Sequence, residues 1–150
     1  MQRSYWGYRI DTENRYFFYQ ELKKMRLRQG WGYHEGQNLH HFTFDAGAGR
    51  NLRIFEQVKK GDLLLIPRLP TWDEIMLVEA TEDFDTGYQY AIDTQYGDYG
   101  HIFPARRVKS FRRDHPLVGD RLRTLLGLPP RFWSVSECQE NIEQLLACKD

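Results

Sequence analysis

The stretch from Lys59 to Ala80, Lys-Lys-Gly-Asp-Leu-Leu-Leu-Ile-Pro-Arg-Leu-Pro-Thr-Trp-Asp-Glu-Ile-Met-Leu-Val-Glu-Ala, restricts what this chain can fold into more than any other. Gly61-Asp62 is a turn signal, Leu63 to Ile66 is an unbroken apolar run short enough for a buried strand, and Ile75 to Ala80 is a second such run. Pro67 and Pro70 each lack an amide proton and hold φ near a fixed value. The connection between the runs is therefore expected to stay out of the sheet ladder and stand out stiffly, with Arg68, Thr71 and Trp72 at its tip. Trp72 is there a binding-site candidate; alternatively it folds back and caps the end of a barrel core, as aromatics mostly pack.

At 150 residues the chain reads as one domain spanning residues 1–150, long enough to bury roughly two thirds of its unfolded surface in a single core. Formal net charge is zero, so composition as a whole marks neither a nucleic-acid binder nor a binder of acids. The charges are nevertheless segregated. Lys23, Lys24, Arg26 and Arg28 form one basic cluster and Arg106, Arg107, Lys109, Arg112 and Arg113 another, whereas Asp73, Glu74, Glu79, Glu82, Asp83 and Asp85 are acidic. Either a one-sided basic face or a mixed solvated surface follows from that distribution. Cys138 and Cys148 fall in one terminal helix about 15 Å apart, too far for a disulfide. With no signal peptide and no apolar run near the ~20 residues that span a membrane, a cytoplasmic chain with no membrane partner is expected. His34, His40 and His41 lack zinc-site spacing, so neither metal nor other cofactor is expected. Aromatic content is 15%, with four tryptophans and nine tyrosines, a surplus that suits either a core or surfaces on which bases stack.

Along the chain, Ser4 to Ile10 reads as a first strand, Asp11-Thr12 as a helix N-cap, and Tyr16, Phe17, Gln20 and Leu22 as a short helix plugging one barrel end. Arg26 to Tyr33 alternates before two glycines flank Trp31. That pattern either lets a planar ligand approach the indole or marks a bulge that tucks it inward. His34 to Arg50 reads as a long loop, Gly49 to Val58 as a helix, Tyr88 to Ile92 as a strand, and Gln95 to Gly100 as a tight turn. His101 to Phe111 is a long strand whose Pro104 belongs on an edge or at a bulge. After a short helix from Gly119 to Leu126, Ser136 and Gln139 match a capping box, and Cys138, Ile142, Leu145 and Leu146 form the apolar stripe of a packing helix. The order of elements predicts an α+β chain that is mainly β. A small curled barrel of five or six strands spans about Ser4 to Phe111, with flanking helices and C-terminal helices over 119–148.

The segments Tyr5-Trp6-Gly7-Tyr8-Arg9-Ile10, Gln29-Gly30-Trp31-Gly32, Lys60-Gly61-Asp62-Leu63-Leu64-Leu65-Ile66-Pro67 and Glu74-Ile75-Met76-Leu77-Val78-Glu79-Ala80 together resemble the PUA-like superfamily, specifically its EVE and YTH branches. The resemblance implies a barrel that takes a modified nucleobase into an aromatic cage. Trp31 matches the first cage aromatic and Trp72 lies near the second, with Tyr88 or Tyr90 as its substitute. Asp11 or Thr12 matches the place that offers polar atoms to the base edge. Asn38, seven positions beyond Trp31, resembles the downstream polar residue, and Tyr33 joins the same base-binding set.

Stacking a flipped base on aromatic rings contributes roughly 1–3 kcal/mol, and extruding it costs a few kcal/mol, so net affinity is expected from phosphates. Arg28, Arg68, Arg106 and Arg107 are the candidates, because guanidinium groups fork onto phosphate oxygens. The resemblance implies a non-enzymatic recognition module of a prokaryotic modification-dependent restriction or antiviral defence protein. The partner expected is modified DNA more than RNA, with a fused or associated nuclease or NTPase, and the chain is expected to be the N-terminal module of a longer protein. Two alternatives stand beside this. One is an ASCH-like hydrolase of RNA or a modified nucleoside, with Lys59, Lys60, Thr71 and Glu74 as acid–base groups. The other is a protein-interaction module without nucleic acid.

Overall fold

The two apolar runs form the middle of one curled sheet in the computed structural model, which describes residues 3–32, 35–45, 49, 51–92 and 98–149. In chain order the strands are β1 (Tyr5–Tyr8), β2 (Arg26–Gln29), β3 (Leu63–Pro67), β4 (Glu74–Ala80), β5 (Gln89–Tyr90), β6 (His101–Arg112) and β7 (Phe132–Ser134). The helices are α1 (Arg15–Lys23), α2 (Phe84–Gly87), α3 (Gly119–Leu125) and α4 (Gln139–Ala147). Strand order is β2-β6-β4-β3-β1-β7, with β5 beside β6; only the β1–β3 pair is parallel among these strands. The fold is thus mixed α and β, mostly strand, a half-barrel with flanking helices as expected, but with seven strands where five or six were predicted.

The unbroken apolar character of β3 and β4 follows from burial on both faces. Leu64, Ile66, Met76, Val78 and Ala80 point into the curl with Trp6, Tyr8, Leu27, Phe103 and Phe132. Leu63, Leu65, Ile75 and Leu77 point the other way, under Leu122 and Leu125 of α3 and Ile142 and Leu145 of α4. The curl is plugged by Phe17, Phe18 and Leu22 of α1 and by Phe55, which sits in a 3-10 segment at Arg53–Gln57 that follows α-helical backbone at residues 49, 51 and 52, so the helix predicted over Gly49 to Val58 is formed with a 3-10 second half. Most of the aromatic surplus is spent here: Phe55 stacks on Phe103 at 5.8 Å and meets Phe132 edge-on at 5.2 Å.

Gly61-Asp62 does more than turn the chain. The Asp62 carboxylate is 2% exposed and accepts the Ser4 N–H at 2.8 Å, the Lys59 N–H at 3.0 Å and the Trp6 indole N–H at 3.0 Å. It therefore ties the start of β3 to β1. Pro67 is inside the ladder, opposite Ile75 and not outside it as predicted, and Leu69 is buried, so the loop before β4 is anchored at Leu69 and exposed at Trp72. Pro104 lies where one flank of β6 has left β5, paired at His101 and Ile102, and has not yet met β4, paired from Ala105. A missing amide is tolerated in such a gap. The capping box is not formed: Ser136 Oγ accepts the Tyr5 N–H at 3.3 Å and α4 starts three residues later, and Cys138 and Cys148 are not joined in a disulfide.

Candidate functional site

After Gln29, at the end of β2, the chain passes through Gly30-Trp31-Gly32 and lies against Asp98-Tyr99-Gly100. The approach is close enough that a Cβ on Gly32 would meet the Gly100 nitrogen at 2.7 Å, and one on Gly100 would meet the Gly32 carbonyl at 2.7 Å. The Gly100 N–H donates to the Gly32 carbonyl at 2.9 Å. Trp31 itself has φ of 64°, a left-handed conformation that is costly for a bulky side chain, about 1–3 kcal/mol. Both of its backbone polar groups are tied down by side chains. The Gly32 N–H donates to the Asp98 backbone carbonyl at 3.3 Å, the Trp31 and Gly32 N–H groups lie close enough to the Asp98 carboxylate to favour its ionised form, and His101 Nε2 lies 3.1 Å from the Trp31 carbonyl.

His101 is fully buried, and the Tyr88 hydroxyl lies 2.6 Å from its Nδ1. A carbonyl only accepts, so Nε2 carries the proton and Nδ1 accepts from Tyr88. Burial pushes the imidazole pKa down to about 4, outweighing the pull of the Trp31 carbonyl toward the charged form. The ring is a neutral strut holding the indole-bearing turn from below.

Above that turn is a cavity of about 160 Å³ lined by Asp11, Gln29, Gly30, Trp31, Asp98, Tyr99 and Arg131. A water needs roughly 10–15 Å³ by the same kind of measure, so the space takes on the order of ten non-hydrogen atoms, the size of a planar heterocycle. Gln29 is 4% exposed; its Oε1 accepts the Gly30 N–H at 2.9 Å, which fixes the amide orientation, and its Nε2 is buried with no partner. The Tyr99 hydroxyl donates to Asp11 Oδ2 at 2.8 Å and accepts from Asn14 Nδ2 at 2.9 Å. Burial first, and then the Asp11 carboxylate, push Tyr99 up to about 12. Burial also raises Asp98, against the two N–H groups that favour its ionised form. One wall is thus aromatic, and around it stand an unused amide donor, two carboxyls and a guanidinium. Such a set fits a flat ligand that is apolar on its faces and polar at its edge.

Of the predicted base-binding residues, Trp31 and Asp11 line this cavity together and the others among the described residues lie apart from it. Trp72 does not line this cavity; it is 57% exposed, and the guanidinium groups of Arg15 and Arg68 lie 4.5 and 5.3 Å from its ring centre. Thr12 lines a neighbouring groove with Arg68. Asn38 Oδ1 accepts the His40 N–H at 2.9 Å in a local turn, and Tyr33 lies outside the described residues. Tyr88, offered as a substitute for Trp72, is buried with its hydroxyl on His101.

Arg28 is not a surface cation. It is 7% exposed, bonded to Glu21 at 2.7 Å and to the carbonyls of Tyr99 and Ala91 at 2.9 and 3.1 Å. Burial would raise Glu21, but hydrogen bonds from Arg26 and Arg28 outweigh it and hold the carboxyl below its usual range. Much of the first basic cluster is therefore consumed by one buried acid. Arg106 pairs with Glu79 at 2.6 Å and Arg107 bonds the Tyr19 hydroxyl at 3.1 Å, both exposed. The hydrolase candidates do not converge. Lys59 and Lys60 precede β3 while Thr71 and Glu74 pair at 2.9 Å beyond its other end, a strand length of roughly 16 Å away.

Gln29, Asp98, Tyr99 and Arg131 were missed. Gln29 adjoins the Gly-Trp-Gly signal and Asp98 and Tyr99 sit in the Gly-Asp-Tyr-Gly turn, so local pattern marked the places without marking the chemistry. Among the described residues there is no group of three or more metal-ligating side chains and no helix long and apolar enough to cross a membrane.

No protein-family model matches the chain, and no curated protein matches it significantly. Among solved structures it is similar to protein Atu2648 from Agrobacterium tumefaciens, with a TM-score of 0.46 at 11% identity, covering 96% of this chain and 91% of that one. It is similar also to Rpa0253 from Rhodopseudomonas palustris, with a TM-score of 0.46 at 13% identity and the same coverage, 96% and 91%.

Proposed function

We propose that this chain is a non-enzymatic recognition module that takes one nucleobase of a nucleic-acid strand into the Trp31 cavity. We propose further that it prefers a modified base in DNA, as the reading part of a modification-dependent restriction or defence system. The observation that carries the first statement is the left-handed Trp31, held at its backbone groups by Asp98 and by buried His101, beside a buried Gln29 amide whose donor is unused. Strain is kept at a site when the surrounding structure over-determines it, and here the surroundings present an indole to a base-sized space. A base gives the indole a π face and gives Gln29 an edge carbonyl or ring nitrogen. A methyl group on that base adds apolar contact with the ring. The preference for a modified base in DNA is what the PUA-like resemblance implies.

Fluorescence anisotropy of labelled oligonucleotides carrying plain, methylated or hydroxymethylated bases tests the proposal. Trp31→Ala is expected to weaken binding of the preferred oligonucleotide by roughly 5- to 150-fold, the equivalent of one lost stack, and Gln29→Leu to narrow the difference between bases. Equal binding of every oligonucleotide, unchanged by either substitution, would remove the proposal.

A further inference from the structure

The groove next to the Trp31 cavity is of a different character. It encloses about 310 Å³ between the Arg9–Thr12 turn, the Pro67-Arg68 corner and the Leu126–Pro129 segment, and no acidic residue lines it. Arg9 and Arg68 are its cations. Neither makes an ion pair among the described residues, and Arg9 Nη1 is held by the Pro129 carbonyl at 2.7 Å. Arg68, at φ of 62°, gives its carbonyl to Arg15 Nε at 2.8 Å, and both guanidinium groups lie over the Trp72 ring. Arg15 Nη2 is buried with no hydrogen-bond partner.

The groove and the cavity are neighbours. Asp11 lines one and Thr12 the other, and the Arg9 N–H donates at 2.8 Å to the carbonyl of Arg131, which lines the cavity. We propose that this groove holds the phosphodiester backbone of the strand whose base occupies the Trp31 cavity. Arg9 and Arg68 contact phosphate oxygens; Trp72 positions Arg68, and the Pro129 carbonyl positions Arg9. The proposal rests on the base-cavity reading for the identity of the strand but on separate residues for the contact. Arg68 is held over the indole and Arg9 by a backbone carbonyl before any ligand arrives, so little side-chain freedom is left to lose when an anion binds.

The test is the salt dependence of binding to a single-stranded oligonucleotide and to an abasic oligonucleotide of equal length. Each lost phosphate contact lowers the slope of log K against log salt by roughly 0.7 on a single strand, so Arg9→Gln with Arg68→Gln is expected to lower it by about 1.4 on both oligonucleotides. Trp31→Ala is expected to weaken binding of the base-bearing oligonucleotide alone. An unchanged slope in the double variant, with unfolding temperature unaltered, would overturn the groove while leaving the cavity standing. A lowered slope with no effect of Trp31→Ala would remove the cavity and leave the groove. Competition by inorganic tripolyphosphate as strong as by the abasic oligonucleotide would overturn the strand assignment, because the groove would then take free phosphate anions.

Discussion

Lowering the pH from 7 to 5 is expected to remove about 2 kcal/mol of folding stability through His101 alone. The imidazole has a pKa of about 4 in the folded chain and about 6.5 in an unfolded one. In that window the unfolded chain takes up a proton that the folded chain refuses, so stability present above the unfolded value is lost as pH falls toward the folded value. Integrating the proton linkage over these two values gives a loss of about 0.2 kcal/mol at pH 7, about 2 at pH 5 and about 3 at pH 4. Urea unfolding at pH 7, 6 and 5, followed by tryptophan fluorescence, measures it in the natural chain and in His101→Gln. The glutamine lacks the ring geometry that reaches both the Tyr88 hydroxyl and the Trp31 carbonyl and lowers stability at every pH, but its decline between pH 7 and 5 is expected to be smaller by about 2 kcal/mol. The comparison matters because Asp98, raised by burial, acts in the opposite sense and stabilises the fold as pH falls; its contribution cancels between the two proteins. Identical declines, or an NMR titration of the His101 ring centred near its ordinary value, would refute the account of the strut.

Asp62→Ala is expected to cost about 2–3 kcal/mol, because it strands the buried Trp6 indole N–H, at roughly 1–3 kcal/mol unmet, and two part-buried backbone donors that water can partly satisfy; a loss under about 1 kcal/mol in urea unfolding would show that water replaces the carboxylate. Gly7→Ala places a Cβ 2.8 Å from Trp133 Nε1 and nearer still to its ring carbons. Overpacking of that kind costs typically about 1–3 kcal/mol, so the unfolding temperature should fall by roughly 2–4 °C per kcal/mol, and an unchanged value would mean that Trp133 moves freely aside.

The central hairpin was legible because its signal is local. An apolar run of four or more residues without alternation states burial on both faces, and β3 and β4 have two cores because helices cover the face away from the curl. The rest depended on pairings distant in sequence. Nothing near Arg28 announces that Glu21 on α1 will bury with it, since opposite charges seven residues apart bond only once β2 has paired with β6 and α1 has packed across them. Ser136 likewise carries a capping signature that the fold overrides, because an unpaired Tyr5 N–H at the start of β1 competes for its hydroxyl. Side-chain oxygens go to whichever buried donor lacks a partner.

The same reasoning separates the two tryptophans that the sequence treats as a pair. What surrounds an indole is decided by the arginines the fold delivers to it, and α1 delivers Arg15 to Trp72 while Arg68 turns back over it from the corner of its own loop. A base that stacks where either guanidinium lies must first displace a cation, whose attraction to an indole is about 0.5–2 kcal/mol. Trp31 has no cation over it among the described residues; it packs on the core and lines the cavity, with its strained backbone clamped from behind. An aromatic cage therefore needs a second wall other than Trp72, and among the described residues Tyr99 is the other aromatic residue lining that cavity. With its hydroxyl committed to Asp11 and Asn14, Tyr99 has only ring carbon left to offer a ligand. Phenylalanine at position 99 should then preserve stacking while freeing the Asp11 oxygen, which makes base affinity in Tyr99→Phe the measurement that separates a wall from a hydrogen-bonding group.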